Sequence, residues 1–320
     1  MQNKPSMADI REAALRIQAY IHKTPILTSQ SINHLVGAKL FFKCENFQKT
    51  GSFKMRGAAN TVFSLTEDEI KNGVATQSSG NHGQAVALSA NLRNVPAYIV
   101  MPDNSAKVKI ESVKAYQGNI IHCASTIEAR EASVAKILAE TKANYIHPYN
   151  DLRVITGQAT VSLELLEELT QNGIELDFIL SPIGGGGLMS GTALTTHYLS
   201  PKTTVVGAEP KEADDAFRSF YSGIMQANTT TNTIADGLRA SIRENTFAII
   251  KNHVQQIVTV EETEIIAAMK LIWNRLKILI EPSCAVPFAA ILFGKVENIA
   301  GKNIGIILTG GNVDIDSLPF

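Results

Sequence analysis

The chain has 320 residues, which at about 150 residues per domain predicts two domains or one large α/β unit. Twenty-nine Lys plus Arg against 30 Asp plus Glu leave a net charge of -1, so there is no basic excess to hold nucleic acid or an anionic membrane. With 45% hydrophobic and 18% charged residues the chain reads as globular, and a small-molecule enzyme is the class that remains.

The chain opens on Ser6 followed three residues later by Asp9, a capping box with Asp in place of Glu. Ile10, Ala14, Ile17 and Ile21 then recur at helical spacing, which predicts a helix. No apolar run of signal-peptide length starts the chain, and nothing approaches the roughly 20 apolar residues of a membrane span. Cys44, Cys123 and Cys284 lack CxxC spacing and read as reduced thiols of a cytoplasmic protein. The sequon at Asn228 reads as chance.

Short β-branched or aromatic runs alternate with amphipathic segments. Strands are expected at 39–45, 97–101, 119–123, 177–183, 204–209 and 303–309, in βα units around mostly parallel sheets. Ligands in such folds collect at strand-to-helix junctions, and four junctions carry chemistry.

The first is QKTGSFKMRGA, after the strand 39–45. Thr50, Gly51 and Ser52 are expected to cap a helix that holds Lys54 in its first turn, where the dipole favours loss of its proton and nucleophilic or basic chemistry. The second is Ser78-Ser79-Gly80-Asn81-His82-Gly83, whose hydroxyls, amide and open N–H groups suit a substrate carboxylate, with Ser79 able to move a proton. An N-cap with turn residues is the plainer reading. The third is Gly184 to Gly187 between a strand and a helix. Four residues without Cβ let N–H groups curl around a phosphate at a helix N-terminus. Met189 and Ser190 break the dinucleotide G-x-G-x-x-G register, no Walker lysine follows, and close strand-helix packing is the alternative. A polar stretch at 226–233 is too short for a domain linker. The fourth junction, Thr309-Gly310-Gly311-Asn312, places a hydroxyl and glycines where a flat heterocycle could face them.

The motifs GSFKMRGA, SSGNHGQA, GGGG, GAEPKEADD and LTGGNVD, in this order along nearly the whole chain, resemble the fold-type II family of pyridoxal-phosphate enzymes, in its serine racemase and threonine/serine dehydratase branch. The resemblance implies two domains, a large one from 1–70 and 151–320 and a small mobile one from 71–150, closing over the cofactor. It implies that Lys54 carries the cofactor as a Schiff base, Asn81 bonds the ring hydroxyl, Gly184, Gly185, Gly186 and Gly187 hold the phosphate, and Thr309 faces the pyridine nitrogen. Ser78, Ser79, Gly80, Asn81 and His82 would seat the substrate.

The activity expected is loss of water and ammonia from L-threonine or L-serine. Serine racemisation, with Ser79 as second acid, and 3-hydroxyaspartate elimination, with Arg130 or Arg153 taking the extra carboxylate, are the alternatives. A binding protein without catalysis is the rival from another class. Glu209, Asp215 and the Ala213 carbonyl match a divalent-cation site for Mg²⁺, Mn²⁺ or Ca²⁺. Glu209 closing a strand while Asp214 and Asp215 cap a helix is the plainer reading. QKTGS with Gln84 admits ATP. Ala240 stands where some racemases have a second serine. A homodimer is expected, and with the chain stopping at Phe320 no regulatory domain or feedback by isoleucine is expected.

Overall fold

The computed structural model describes residues 4–78, 80–105 and 107–318. Its strands are β1 (Ile26–Leu27), β2 (Lys39–Cys44), β3 (Val74–Gln77), β4 (Ala97–Pro102), β5 (Asn119–Cys123), β6 (Asn144–Tyr145), β7 (Phe178–Pro182), β8 (Thr204–Pro210), β9 (Gln256–Val260) and β10 (Asn303–Leu308). They form two sheets, ordered β1-β2-β10-β7-β8-β9 and β5-β4-β3-β6. Every pairing is parallel except β1 with β2. Helices cover both sheets, which is why β10 reads as a continuous apolar run: Ile304, Ile306, Ile307 and Leu308 are fully buried.

The smaller sheet is drawn wholly from residues 74–145, and the larger from strands before and after that stretch. All six expected strands are present within two residues of their bounds. The strands not anticipated are β1, β3, β6 and β9.

The first helix, Met7–Ile17, starts as read: Ser6 N–H donates to Asp9 Oδ2 at 2.7 Å and Asp9 N–H returns to Ser6 Oγ at 3.2 Å. The helix Leu152–Gln171 lies under two others and needs glycine to do so. A Cβ on Gly157 would stand 2.5 Å from the Arg56 carbonyl in the helix Lys54–Ser64. One on Gly191 would stand 2.6 Å from Ala159 N. This close stack fixes Lys54 and the start of the helix Gly187–Leu199 relative to each other.

Candidate active site

Lys54 is the first residue of its helix. The turn before it is left-handed at Thr50 (φ 61°) and Gly51 (φ 67°), and Asn312 Oδ1 lies 2.5 Å from where a Gly51 Cβ would be. The expected caps do not form. The N-cap is Phe53, without a side-chain bond, and the hydroxyls of Thr50 and Ser52 are buried with no partner. A left-handed turn so close to the helix aims these hydroxyls away from its N–H groups. The Lys54 amine donates to the Pro148 carbonyl at 3.1 Å and sits 5.1 Å from the Phe53 ring centroid. Burial pulls its pKa down to about 8, against the opposing pull of Glu281. Burial, then, is the cause found for the lowered pKa anticipated at a helix terminus.

Tyr149 follows Pro148 and lies against the glycine loop. A Cβ on Gly185 would fall 2.3 Å from its ring, and one on Gly187 3.0 Å from its Cβ. Gly186 is left-handed (φ 85°) and crowded by Thr246, and Gly184 is crowded by Leu238. The glycines therefore serve close packing, the alternative weighed for this loop. The helix ladder begins with Ser190 N–H on Gly186 O at 2.8 Å, so the N–H groups of Gly187 to Met189 precede it and are left without helical partners, as at any helix N-terminus. His147 accepts at Nδ1 from the N–H groups of Tyr149 (3.3 Å) and Asn150 (2.9 Å). Burial first, then Arg243 and Lys54, depress its pKa to about 4, so it is neutral at pH 7.

At the second junction, Ser78 Oγ accepts from Gly80 N–H at 3.1 Å. The open N–H expected at Gly80 is thus taken, and those at the start of the helix Asn81–Leu92 remain. Ser79 lies outside the described residues. Asn81 Nδ2 donates to Glu281 (2.9 and 3.1 Å) and its Oδ1 accepts from Asn312 Nδ2 at 3.0 Å. His82 is buried, with Nε2 3.4 Å from the Ile146 carbonyl and Nδ1 without a partner, and burial holds its pKa well below the usual range. Glu281 is buried beside the Lys109–Asp236 ion pair, and burial above all raises its pKa to about 7. Thr309, at the end of β10, is also buried. Its carbonyl accepts from Phe53 N–H at 3.0 Å, and Ser52 bridges to Gly310.

The Lys54 turn, the Asn81 helix, the glycine loop and Thr309 are thus drawn together by Pro148, Tyr149, Glu281 and Asn312; the sequence marks Asn312 in its junction and Tyr149-Asn150 as a point of departure from the family pattern, but not Pro148 or Glu281. Glu281 carried a signal, an acid inside the apolar run LILIEPSCAV. The residues fit pyridoxal phosphate: an amine of depressed pKa, a cradle that a Cβ would fill, and buried hydroxyls without partners at Thr50 and Ser52.

Glu209, fully buried, accepts from Ala216 N–H (3.3 Å) and Phe217 N–H (2.7 Å), so it caps the helix Asp215–Ser222 from the end of β8. Burial and Asp215 hold its pKa well above the usual value. Asp215 Oδ2 accepts from Ile242 N–H at 2.8 Å, Oδ1 is buried with no partner, and burial raises the carboxyl's pKa to about 6. Asp214 does not cap; it pairs with Arg218 at 2.7 Å. Among the described residues no three His, Cys, Asp or Glu side chains cluster as metal ligands. The donor set is two carboxylates and the Ala213 backbone, and the orphan oxygen of Asp215 fits a cation. Of the two arginines considered for a second carboxylate, Arg153 is engaged by Asp151 at 3.0 Å, whereas Arg130 has a buried Nε without a partner. Gln84 is buried.

Parallel sheets flanked by helices, with these junction loops gathered at strand ends, are the architecture of a fold-type II pyridoxal-phosphate enzyme. The family described as pyridoxal-phosphate dependent enzyme matches residues 17–310, and the chain belongs to it. It is 48% identical over 316 residues to a beta-hydroxyaspartate dehydratase of Paracoccus denitrificans, covering 99% of both chains. To a serine racemase of Dictyostelium discoideum it is 48% identical over 318 residues, covering 98% of this chain and 96% of that one. The structure of maize serine racemase superposes with a TM-score of 0.95 at 46% identity, over 98% of this chain and 95% of that one.

Proposed function

We propose that this protein removes the Cα proton of a small β-hydroxy amino acid, with L-serine as substrate and both racemisation and loss of water as outcomes. The observation that carries this is Lys54, an amine with a pKa of about 8 set between the glycine loop's neighbour Pro148 and the Thr309 junction. Its likeness to the Dictyostelium serine racemase and the Paracoccus beta-hydroxyaspartate dehydratase favours serine and 3-hydroxyaspartate over the threonine first expected.

Bound pyridoxal phosphate supplies an electron-withdrawing ring conjugated to the substrate nitrogen. Gly184 to Gly187 and the following N–H groups would hold its phosphate, and Thr309 would offer its ring nitrogen only a neutral hydroxyl. The Ser78 hydroxyl and the first N–H groups of the helix Asn81–Leu92 seat the substrate carboxylate. Lys54 Nζ takes the Cα proton, a task suited to a base of this strength. Departure of the β-hydroxyl as water leaves an unsaturated amine, which hydrolyses to a keto acid and ammonia. Racemisation returns a proton on the opposite face, and Ser79 is the residue the family resemblance assigns to it. Glu209, Asp215 and the Ala213 carbonyl would hold a divalent cation that stabilises the loop carrying Ile242.

A second reading, elimination from L-threo-3-hydroxyaspartate, is favoured by the 48% identity to the Paracoccus beta-hydroxyaspartate dehydratase over 99% of both chains. The test is to incubate the holoenzyme with L-serine, L-threonine and L-threo-3-hydroxyaspartate, with and without EDTA, following keto acid and D-serine. D-serine with pyruvate from L-serine is expected. Fastest turnover of hydroxyaspartate without D-serine makes the second reading the right one, and no turnover of any substrate overturns both.

A further inference from the structure

Thr309 and Cys284 stand 25 residues apart in sequence with Oγ1 and Sγ 3.3 Å apart, both buried. The same sulfur is bracketed by the peptide groups of Gly310: it accepts from Gly310 N–H at 2.9 Å, and its S–H reaches Gly310 O at 2.8 Å. That carbonyl also accepts from Glu281 N–H at 3.0 Å and so has a bonded partner without the thiol, which lets the thiol proton lie on Gly310 O or turn to Thr309 Oγ1. Burial and Glu281 push the Cys284 pKa far up, which keeps the group a neutral thiol.

A neutral thiol has one proton and is a weak acceptor. If S–H points at Thr309 Oγ1, the threonine's own proton must turn away from the sulfur. If S–H stays on Gly310 O, the sulfur competes poorly for that proton against a heterocyclic nitrogen. Both arrangements leave Thr309 free to donate its proton away from the sulfur. A carboxylate in place of the sulfur, which can only accept, would draw the proton back.

We propose that Cys284 is a positioning residue that fixes the Thr309 hydroxyl as a hydrogen-bond donor to the cofactor ring. The proposal rests on the pyridoxal-phosphate reading of the site. It acts through Thr309 and requires no contact between Cys284 and cofactor or substrate.

The experiment compares the cofactor-loaded protein with Cys284→Ala, Thr309→Val and the double variant. It records the absorption spectrum of the bound cofactor from pH 6 to 9, together with kcat and KM for L-serine. Cys284→Ala is expected to load a full complement of cofactor, since Lys54 and the glycine loop are untouched. Its cofactor band should shift and kcat should fall roughly three- to ten-fold, the range one hydrogen bond commands, with KM little changed. The double variant should be no worse than Thr309→Val alone, because both changes remove one interaction. Cys284→Ser, which keeps a donor and an acceptor, should stay closer to the unsubstituted spectrum than Ala. If Cys284→Ala does not fold, Cys284→Val, which lacks the thiol but fills its space, carries the same comparison. A cofactor band and kcat unchanged in the variants without a donor, or losses that multiply in the double variant, overturn the proposal. A complete lack of cofactor binding by the unsubstituted protein would overturn the underlying reading instead, and it is observed before any variant is made.

Discussion

The Lys54 amine donates to the carbonyl of Pro148 at 3.1 Å, and Tyr149, the next residue, lies against Gly185. One short turn therefore holds the base and shapes the anion loop, and a change at either end reaches the other. Lys54→Ala should abolish covalent attachment of pyridoxal phosphate, seen as loss of its lysine-bound absorbance, and lower turnover by at least about 10²- to 10⁴-fold. A normal band in the variant would show that another amine holds the cofactor.

The pH dependence of that attachment follows from charge. Only the free amine attacks the aldehyde, and Lys54 titrates at about 8, so attachment to the cofactor-free protein should quicken as pH rises and level off above 8. Glu281 opposes the effect of burial on Lys54. Glu281→Gln removes that negative charge and should move the midpoint below 8, speeding attachment at pH 7. Stopped-flow absorbance from pH 6 to 10 measures it; a midpoint that rises would contradict the assigned sign.

How much of this was legible in the sequence depends on range. The junctions with Lys54, Asn81, the four glycines and Thr309 are written locally, as glycine, Ser or Asn between an apolar run and a helix. β3 escaped notice because Val74–Gln77 is four residues long and runs straight into the polar SSGN turn. β1 has two residues and exists only by pairing with β2. The partners that assemble the site are far apart: Asn81 and Glu281 are separated by 200 residues and Asn81 and Asn312 by 231. No local pattern encodes such pairs, and whether Thr50 caps a helix depended on a left-handed turn that Gly51 and Asn312 impose together.

The acidic pair offers a test independent of turnover. With Asp215 Oδ1 unpartnered and Glu209 fully buried beside it, a divalent cation should stabilise the fold. Added Mg²⁺ or Ca²⁺ at about a hundred times its Kd should give about 2.7 kcal/mol, measurable as a higher Tm after EDTA treatment. Asp215→Asn should lose most of the shift. Equal shifts in both proteins would place the cation elsewhere.

Gly185 is predicted to tolerate no side chain. A methyl group there meets the Tyr149 ring at 2.3 Å, well inside contact distance, so Gly185→Ala should cost about 1–3 kcal/mol as the loop and ring move apart. Cofactor affinity should fall with it if the loop seats the phosphate as proposed. Equilibrium dialysis against pyridoxal phosphate measures the loss. Adding Tyr149→Ala, which opens the space, should recover part of the stability, and failure to do so would mean the strain lies in the backbone.

Two residues beyond Lys54, Arg56 is fully buried and bonds Glu45 (2.7 and 2.8 Å) and Glu164 (2.7 and 2.8 Å), while buried Lys43 also reaches Glu164 at 2.7 Å. Two cations and two anions cancel, which is what makes the burial tolerable. Arg56→Met leaves buried Glu45 and partly buried Glu164 with one lysine and should cost about 3–5 kcal/mol, read by urea unfolding. The Glu164 pKa is raised by burial and lowered, on balance, by Arg56 and Lys43. In the natural protein its stabilising contribution is therefore present above the usual carboxylate range and lost on acidification. Without Arg56 the effect of burial gains ground and the pKa of Glu164 rises, so the variant's deficit should shrink as pH falls and protonation neutralises the group. A deficit that stays constant from pH 8 to pH 5 would mean that lost packing, not uncompensated charge, is what Arg56 prevents.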